Sequence, residues 1–348
     1  MADAPFSFLP LGATIQTFKV NGINIVQGFE NAEQQLAHNG PYFGETIGRI
    51  ANRTSGARIQ SLNGGKSYAL AANDRGNNLH GGLDGWGKRT WKGPEPVGTR
   101  AIPGVDNLEG GESVAFTLIS DDGDQGFPGT VEARVVYTTG TQRGAENGKD
   151  VTVLGIEYEA KVLDSSPADE TAVNMTNHSY FNLAGCPHAQ TYDGTTVTLA
   201  TNQHLPIDDT SIPTGGPVPF PAFDTSKPFT LTATGPDVDH CFTLAEDPSS
   251  VPLDTRSQPL RRNLAAHHPS TGIHLEVLST EPSFQFYTGK HIDVPAVGNL
   301  PARGSNSAFC CEPSRWVNAV NTPEWKNQVL LKKGQTYGAR IVYRGWSE

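Results

Sequence analysis

The chain is short of cysteine, of basic residues and of helical periodicity, and each shortage excludes a class of protein. Four cysteines in 348 residues, Cys186, Cys241, Cys310 and Cys311, are too few and too irregularly spaced for a disulfide framework or a zinc knuckle. Buried free thiols in a reducing compartment are the expectation. Lysine and arginine total 26 against 36 for aspartate and glutamate, a formal net charge of −10, and no basic run exceeds two residues. That balance argues against nucleic acid as a partner. No stretch approaches the ~18 apolar residues of a membrane-spanning helix. The opening "MADAPFSFLPLGA" has neither a basic n-region nor a long apolar h-region, so a cytoplasmic protein without a membrane partner is expected.

What fills the chain instead is period-two alternation. In "VEARVVY", Val131, Ala133, Val135 and Tyr137 share one face, with Glu132 and Arg134 on the other. Leu154, Ile156, Tyr158, Ala160 and Val162 repeat the pattern, as do Ile273, Leu275 and Val277, and Tyr337, Ala339, Ile341 and Tyr343. Only "ENAEQQLAHN", residues 30–39, combines helix formers with little glycine or proline. Turn-rich stretches such as "LNGGKS" and "TQRGAENGKD" separate the alternating segments. None reads as a linker between domains, and no fixed repeat is present. The expected architecture is all-β: one large, mostly antiparallel β-sandwich with few short helices, spanning residues 1–348 as a single domain.

Four polar stretches interrupt the alternation: "GETIGRIANR" at 44–53, "NNLHGG" at 77–82, "NMTNHSYFN" at 174–182 and "FCCEPS" at 309–314. Each sets a charged residue or histidine beside small residues that let a ligand approach the backbone. Glu312 follows the apolar run "AFCC" and precedes a proline, and a carboxylate is seldom buried without a partner or a task. A histidine and a carboxylate together suit general acid–base chemistry near neutral pH. His80 and His178 could equally be structural histidines at a turn and a strand end. Metal binding by His80, His178 and Glu312 is a competing use, but no two of them share a His-x-His or His-x-x-x-His spacing.

Taken in order, "GRIANR", "NNLHGG", "TNHSYFNLAG", "DHCF" at 239–242 and "QFYTG" at 285–289 resemble the motifs of the aldose 1-epimerase (galactose mutarotase) family, from about Leu11 to the C-terminal strands. The resemblance implies a galactose mutarotase-like sandwich with an open sugar site on its concave face, and no cofactor or metal. It implies Glu312 as base and His178, as imidazolium, as acid for opening and reclosing the ring of a free aldohexose such as glucose or galactose. An acid limb from Glu312 and an alkaline limb from His178 would follow. Arg53, His80 and Asp239 fall on the family's substrate-binding positions, with Asn52 and Gln285 as further hydroxyl contacts, in an enzyme expected to act as a monomer. After the glutamate, this chain reads "EPSRWVNAVN" where the family continues with a hydroxyl residue, glutamine and later Pro-Asp-Ala. Asn318 replaces the aspartate, and Arg315 and Trp316 are expected as extra bulk at the rim near the base.

Three other readings compete. A hexose-6-phosphate mutarotase would need converging cations, for which Arg53 and Arg315 are the tempting pair. A non-catalytic sugar-binding protein on the same fold would not need both an acid and a base. Glycoside hydrolysis usually needs two carboxylates.

Overall fold

A computed structural model describes residues 4–348. Two antiparallel sheets dominate. The larger has nine strands and runs in the order Phe229–Thr230, Thr196–Leu199, Arg261–His268, Ile273–Ser279, Tyr337–Ser347, Lys149–Val162, Val131–Glu146, Leu108–Ser120 and Lys92–Thr99. The smaller has six: Tyr180–Phe181, Phe309–Ser314, Ser283–Tyr287, Asp239–Thr243, Gln203–His204 and Val218–Pro219. The expected helix is present as a short one, Ala32–His38, capped by the Asn31 side chain accepting from the Gln34 N–H.

The alternating faces read from sequence supply the core. Val131, Ala133, Val135, Tyr137, Leu154, Ile156, Tyr158, Ile273, Leu275, Ile341 and Tyr343 lie in one apolar cluster with Phe284, Phe286, Phe309 and Cys311 of the smaller sheet. The two sheets thus pack face to face. "TQRGAENGKD" is not the loop it suggests. The strands run through it, Glu146 pairs with Lys149, and only Asn147 and Gly148 turn, both at positive φ. A two-residue hairpin turn with positive φ at both positions matches the strand twist, and Asn-Gly adopts it readily.

"NMTNHSYFN", which interrupts the alternation in the sequence, is not one continuous strand. It forms two two-residue strands, Thr176–Asn177 and Tyr180–Phe181, and every residue in it is buried. Its amides and hydroxyls serve backbone that has left the sheet ladders. Asn174 Oδ1 accepts from the Arg315 N–H, Thr176 donates to the Pro313 carbonyl, Asn177 to the Gly44 carbonyl and Asn182 to the Ser307 carbonyl. Buried backbone groups must find partners, and where strands this short end, side chains supply them. Of the polar residues in the stretch, only His178 and the Tyr180 hydroxyl bearer reach the cleft described below.

The residues after Glu312 require a second correction. Arg315 and Trp316 are not at a rim: they are 0% and 1% exposed. Arg315 donates to the carbonyls of Leu253 and Gly338, lies over the Tyr337 ring and sits 3.1 Å from Glu281, which is also fully buried. The contact is an ion pair without an aligned hydrogen bond, since Arg315 Nη1 and both Glu281 oxygens lack hydrogen-bond partners. Burial pushes the Glu281 carboxyl up to about 7 despite the facing guanidinium. Asn318, at positive φ, accepts from the Ser55 N–H and so ties this segment to the loop after Arg53.

Two outcomes are expected. Because the two sheets share one core, we propose that the chain unfolds as a single unit, so calorimetry should give one transition; two separated transitions would show independent domains. Arg315→Met strands a buried charge and should lose about 3–5 kcal/mol at pH 8. The loss should shrink at pH 5, because a carboxyl whose folded pKa is raised holds its proton below that pKa and is destabilised only as pH rises through it. Equal losses at both pH values in denaturant titrations would contradict a charge-based role.

Candidate active site

The strand period that builds the core also builds the cleft floor. On Ser283–Tyr287, Phe284 and Phe286 enter the core, so Gln285 and Tyr287 face the other way. On Phe309–Ser314, Phe309 and Cys311 enter the core, leaving Cys310 and Glu312 on the opposite face. Gln285 and Glu312 are cross-strand partners, and Asp239 pairs with Tyr287 on the next strand. Loops complete the walls of a cavity of about 370 Å³. All seven residues singled out in the sequence, Asn52, Arg53, His80, His178, Asp239, Gln285 and Glu312, line it, with Gly40, Pro41, Tyr42, Leu79, Tyr180, Tyr287, His291 and Asp293.

His178 and Glu312 are the closest acid–base pair on the floor: Nε2 lies 3.4 Å from Oε2, and both side chains are 5% exposed. The His178 backbone is clamped on both sides, its N–H donating to the Glu45 carbonyl and its carbonyl accepting from the Gly44 N–H. Its ring stacks on Tyr180 and Tyr42, at 5.0 and 5.9 Å between centroids, and meets His80 edge-on at 5.1 Å. Tyr42 is held from behind by Lys88, 4.2 Å above its ring, and Lys88 is in turn bonded to the buried Glu45.

Each remaining polar group is oriented by a protein partner and keeps a free edge. His80 Nδ1 accepts from the Asn52 N–H at 3.3 Å. A backbone N–H can only donate, so the neutral ring carries its proton on Nε2. Burial, reinforced by His178, Arg53 and Lys88, holds His80 well below the ordinary imidazole value, so it acts as a neutral donor. Arg53 Nε donates to Asp74 at 2.7 Å and its Nη1 to Asn52 at 3.4 Å. Burial alone would raise Asp74, but Arg53 and Arg75 hold it below the usual carboxylate value. Gln285 donates to Asp239 at 2.6 Å, while its buried Oε1 has no protein partner and can accept from a ligand hydroxyl.

The charge states differ from those expected. Burial raises Glu312 well above the ordinary carboxylate range, with Asp239 adding to the effect and Arg53 opposing it. Burial lowers His178 below 6.5, with Lys88 in the same sense and its own backbone carbonyl opposing. Both shifts disfavour the charge pair of carboxylate beside imidazolium and favour the neutral forms, carboxylic acid beside imidazole. The reason is that both groups are buried, which composition could not reveal.

Two sets of metal-type donors occur among the described residues. In the first, the Cys310 thiol approaches His178 Nδ1 while Glu312 approaches Nε2, so the donors address different ring atoms. In the second, on the outer face of the large sheet, His267 and His274 stack 4.2 Å apart with 24° between ring planes beside Glu348. Near-parallel rings do not converge their lone pairs on one ion, so neither set is a preformed centre.

Tyr42, His291 and Asp293 were not foreseen, and neither were the supports Asp74, Glu45 and Lys88. Tyr180, Tyr287 and Cys310 stood inside the quoted motifs without a role. The loop residues carry no periodic signal, and only their nearness to "GETIGRIANR" and "QFYTG" marks them.

The family model for aldose 1-epimerase matches residues 4–344. Galactose mutarotases of Sus scrofa and Homo sapiens are each 36% identical over 94% of this chain and 86% of theirs. The bifunctional protein GAL10 of Pachysolen tannophilus is 40% identical over 96% of this chain, which spans 44% of that longer protein. A GalM/aldose epimerase homologue from C. elegans superimposes with a TM-score of 0.75 at 25% identity, covering 98% of this chain and 95% of the other. With the sandwich, the floor of the cleft and a family match over nearly its whole length in agreement, the chain belongs to the aldose 1-epimerase family.

Proposed function

We propose that the protein interconverts the α and β anomers of free aldohexoses by opening and reclosing the sugar ring, with Glu312 as base and His178 as acid. The observation that carries this is the 3.4 Å approach of His178 Nε2 to Glu312 Oε2 on the floor of one cleft. The anomeric hydroxyl oxygen O1 and the ring oxygen O5 are bonded to the same carbon, so the groups that deprotonate one and protonate the other must be neighbours. Glu312 carboxylate takes the O1 proton, the electron pair left on O1 forms the second C1–O1 bond of the carbonyl, the C1–O5 bond breaks toward O5, and His178 Nε2–H supplies the proton that O5 takes up. Rotation about C1–C2 turns the other carbonyl face to O5. Reclosure runs the same transfers in reverse.

Ring opening leaves a neutral carboxylic acid and a neutral imidazole, the pair that burial favours. The reactive carboxylate–imidazolium form is its tautomer, reached by moving one proton from Oε2 to Nε2 without exchange with solvent. It is the minor form, but its members are a stronger base and a stronger acid than in water, which lowers the barrier of each transfer. Asp239, Gln285, Arg53, Asn52 and His80 would hold the hydroxyls and fix C1 over the pair. The protein is proposed to act as a monomer. The four buried free cysteines suit a reducing, cytoplasmic location.

The cleft favours an uncharged sugar. Its acidic and guanidinium lining residues are Arg53, Asp239, Asp293 and Glu312, Arg53 is already paired with Asp74, and Arg315 is buried on Glu281. A phosphate would meet carboxylates. Polarimetry on fresh α-D-glucose, α-D-galactose and α-D-glucose 6-phosphate tests this: the free sugars should be accelerated and the phosphate hardly at all. No acceleration of any sugar above the spontaneous rate would leave only sugar binding.

Glu312→Gln keeps shape but removes the base, and His178→Asn removes the acid; each should lower kcat by about 10²–10⁴-fold. The double variant should lose far less than the product, because both transfers belong to one event. Near-unchanged kcat in Glu312→Gln would sink the mechanism.

The pH profile follows from the shared proton, and the expected limbs change places. The acid limb arises when the pair gains a second proton, on His178, and should lie below 6.5. The alkaline limb arises when the last proton leaves Glu312 and should lie above the ordinary carboxylate value. A kcat/KM profile, corrected for spontaneous mutarotation, should therefore show an acid limb displaced below 6.5 and an alkaline limb displaced upward from the ordinary carboxylate value; an acid limb at or above 6.5 would contradict it.

A further inference from the structure

We infer that Cys310 is a positioning residue for the acid: its sulfur accepts the Nδ1–H of His178 and so holds the tautomer in which Nε2 faces Glu312 and the sugar. This rests on the mutarotase reading of the cleft. Cys310 Sγ lies 3.7 Å from His178 Nδ1, and Glu312 Oε2 lies 3.4 Å from Nε2. Cys310 and Glu312 stand two residues apart on one strand and one face, so a single strand addresses both nitrogens of one ring. Cys310 is fully buried and is not one of the residues that line the cavity, which leaves the His178 ring and the Tyr180 hydroxyl, rather than the sugar, as what its thiol can act on.

The tautomer follows from the proton count. With the Glu312 carboxyl facing Nε2 and the Cys310 sulfur facing Nδ1, the inferred tautomer of the neutral pair has Nε2 turned as acceptor to the carboxyl proton and the ring proton on Nδ1. In the carboxylate–imidazolium form Nδ1 is still protonated. The sulfur is thus an acceptor in both forms and need not reorient during the cycle. The thiol keeps its own proton, because burial and the Glu312 charge push it well above its ordinary value. A thiolate or carboxylate at this place would stabilise the imidazolium and weaken the acid; thiol sulfur is a weak acceptor that orients the ring with little charge stabilisation. The other groups facing His178 are its own backbone carbonyl, which favours the protonated ring, and Tyr180, Tyr42 and His80, with Lys88 beyond Tyr42. Burial keeps both tyrosines and His80 neutral, and Lys88 is engaged by Glu45.

The test compares Cys310→Ala and Cys310→Ser with the unaltered protein, by polarimetric kinetics across pH and by 15N NMR of the imidazoles assigned with His178→Asn. Cys310→Ala should lower kcat by about 10–100-fold, the scale seen for second-layer partners of metal-bound histidines, with little change in KM, and its 15N shifts should show Nδ1–H no longer dominant. Cys310→Ser should restore most of kcat and move the acid limb to higher pH, because a hydroxyl oxygen is the stronger acceptor. Wild-type kcat, pH profile and tautomer in Cys310→Ala would overturn the inference, as would equal defects in Ala and Ser. If the unaltered protein fails to accelerate mutarotation, the mutarotase reading falls, while the 15N tautomer comparison still decides the role of Cys310.

Discussion

The two-residue period of Phe309–Ser314 is the constraint on which both core and cleft depend. One face carries Phe309 and Cys311 into the apolar cluster; the other carries Cys310 and Glu312 toward His178. Neighbouring strands repeat the division with Phe284 and Phe286 against Gln285 and Tyr287. A one-residue slip of register would bury the carboxylate in the sandwich and put phenylalanine in the cleft. Packing of the two sheets therefore fixes the position of the Glu312 carboxyl, the proposed base, which shares the rigidity of the core.

Electrostatics follows from the same burial. Glu312 and His178 are nearly fully buried on the cleft floor, and that burial pushes them in opposite directions. Both shifts disfavour separated charges and favour the pair as neutral carboxyl and imidazole. Around it, Arg53 with Asp74, Lys88 with Glu45, and Gln285 with Asp239 are each tied to a protein partner. Groups so held are oriented before a sugar arrives, which reduces the ordering that binding would otherwise require.

Much of this was legible in the sequence, and the illegible part has physical causes. The alternation of Leu154, Ile156, Tyr158 and Ala160 announces a half-buried strand because side-chain direction is a local property of extended backbone. Glu312 after "AFCC" announces a buried carboxylate for the same reason. The asparagines of "NMTNHSYFN" misled, because whether an amide meets a ligand or a stranded carbonyl depends on chain that is distant in sequence: Gly44 and Ser307 for Asn177 and Asn182, and Arg315 for Asn174. Arg315 misled likewise, its partner Glu281 lying 34 residues away on another segment. Charge states were beyond reach, since they depend on depth.

The cleft draws its floor from strands and its rim from loops, among them residues 40–42 and 291–293. Loop segments accept insertion and substitution more readily than paired strands. Lineages descended from such an ancestor could trade one sugar preference for another by editing the rim, leaving the proton-handling apparatus untouched. Divergence in diet, rather than in reaction, is the change this architecture makes easy.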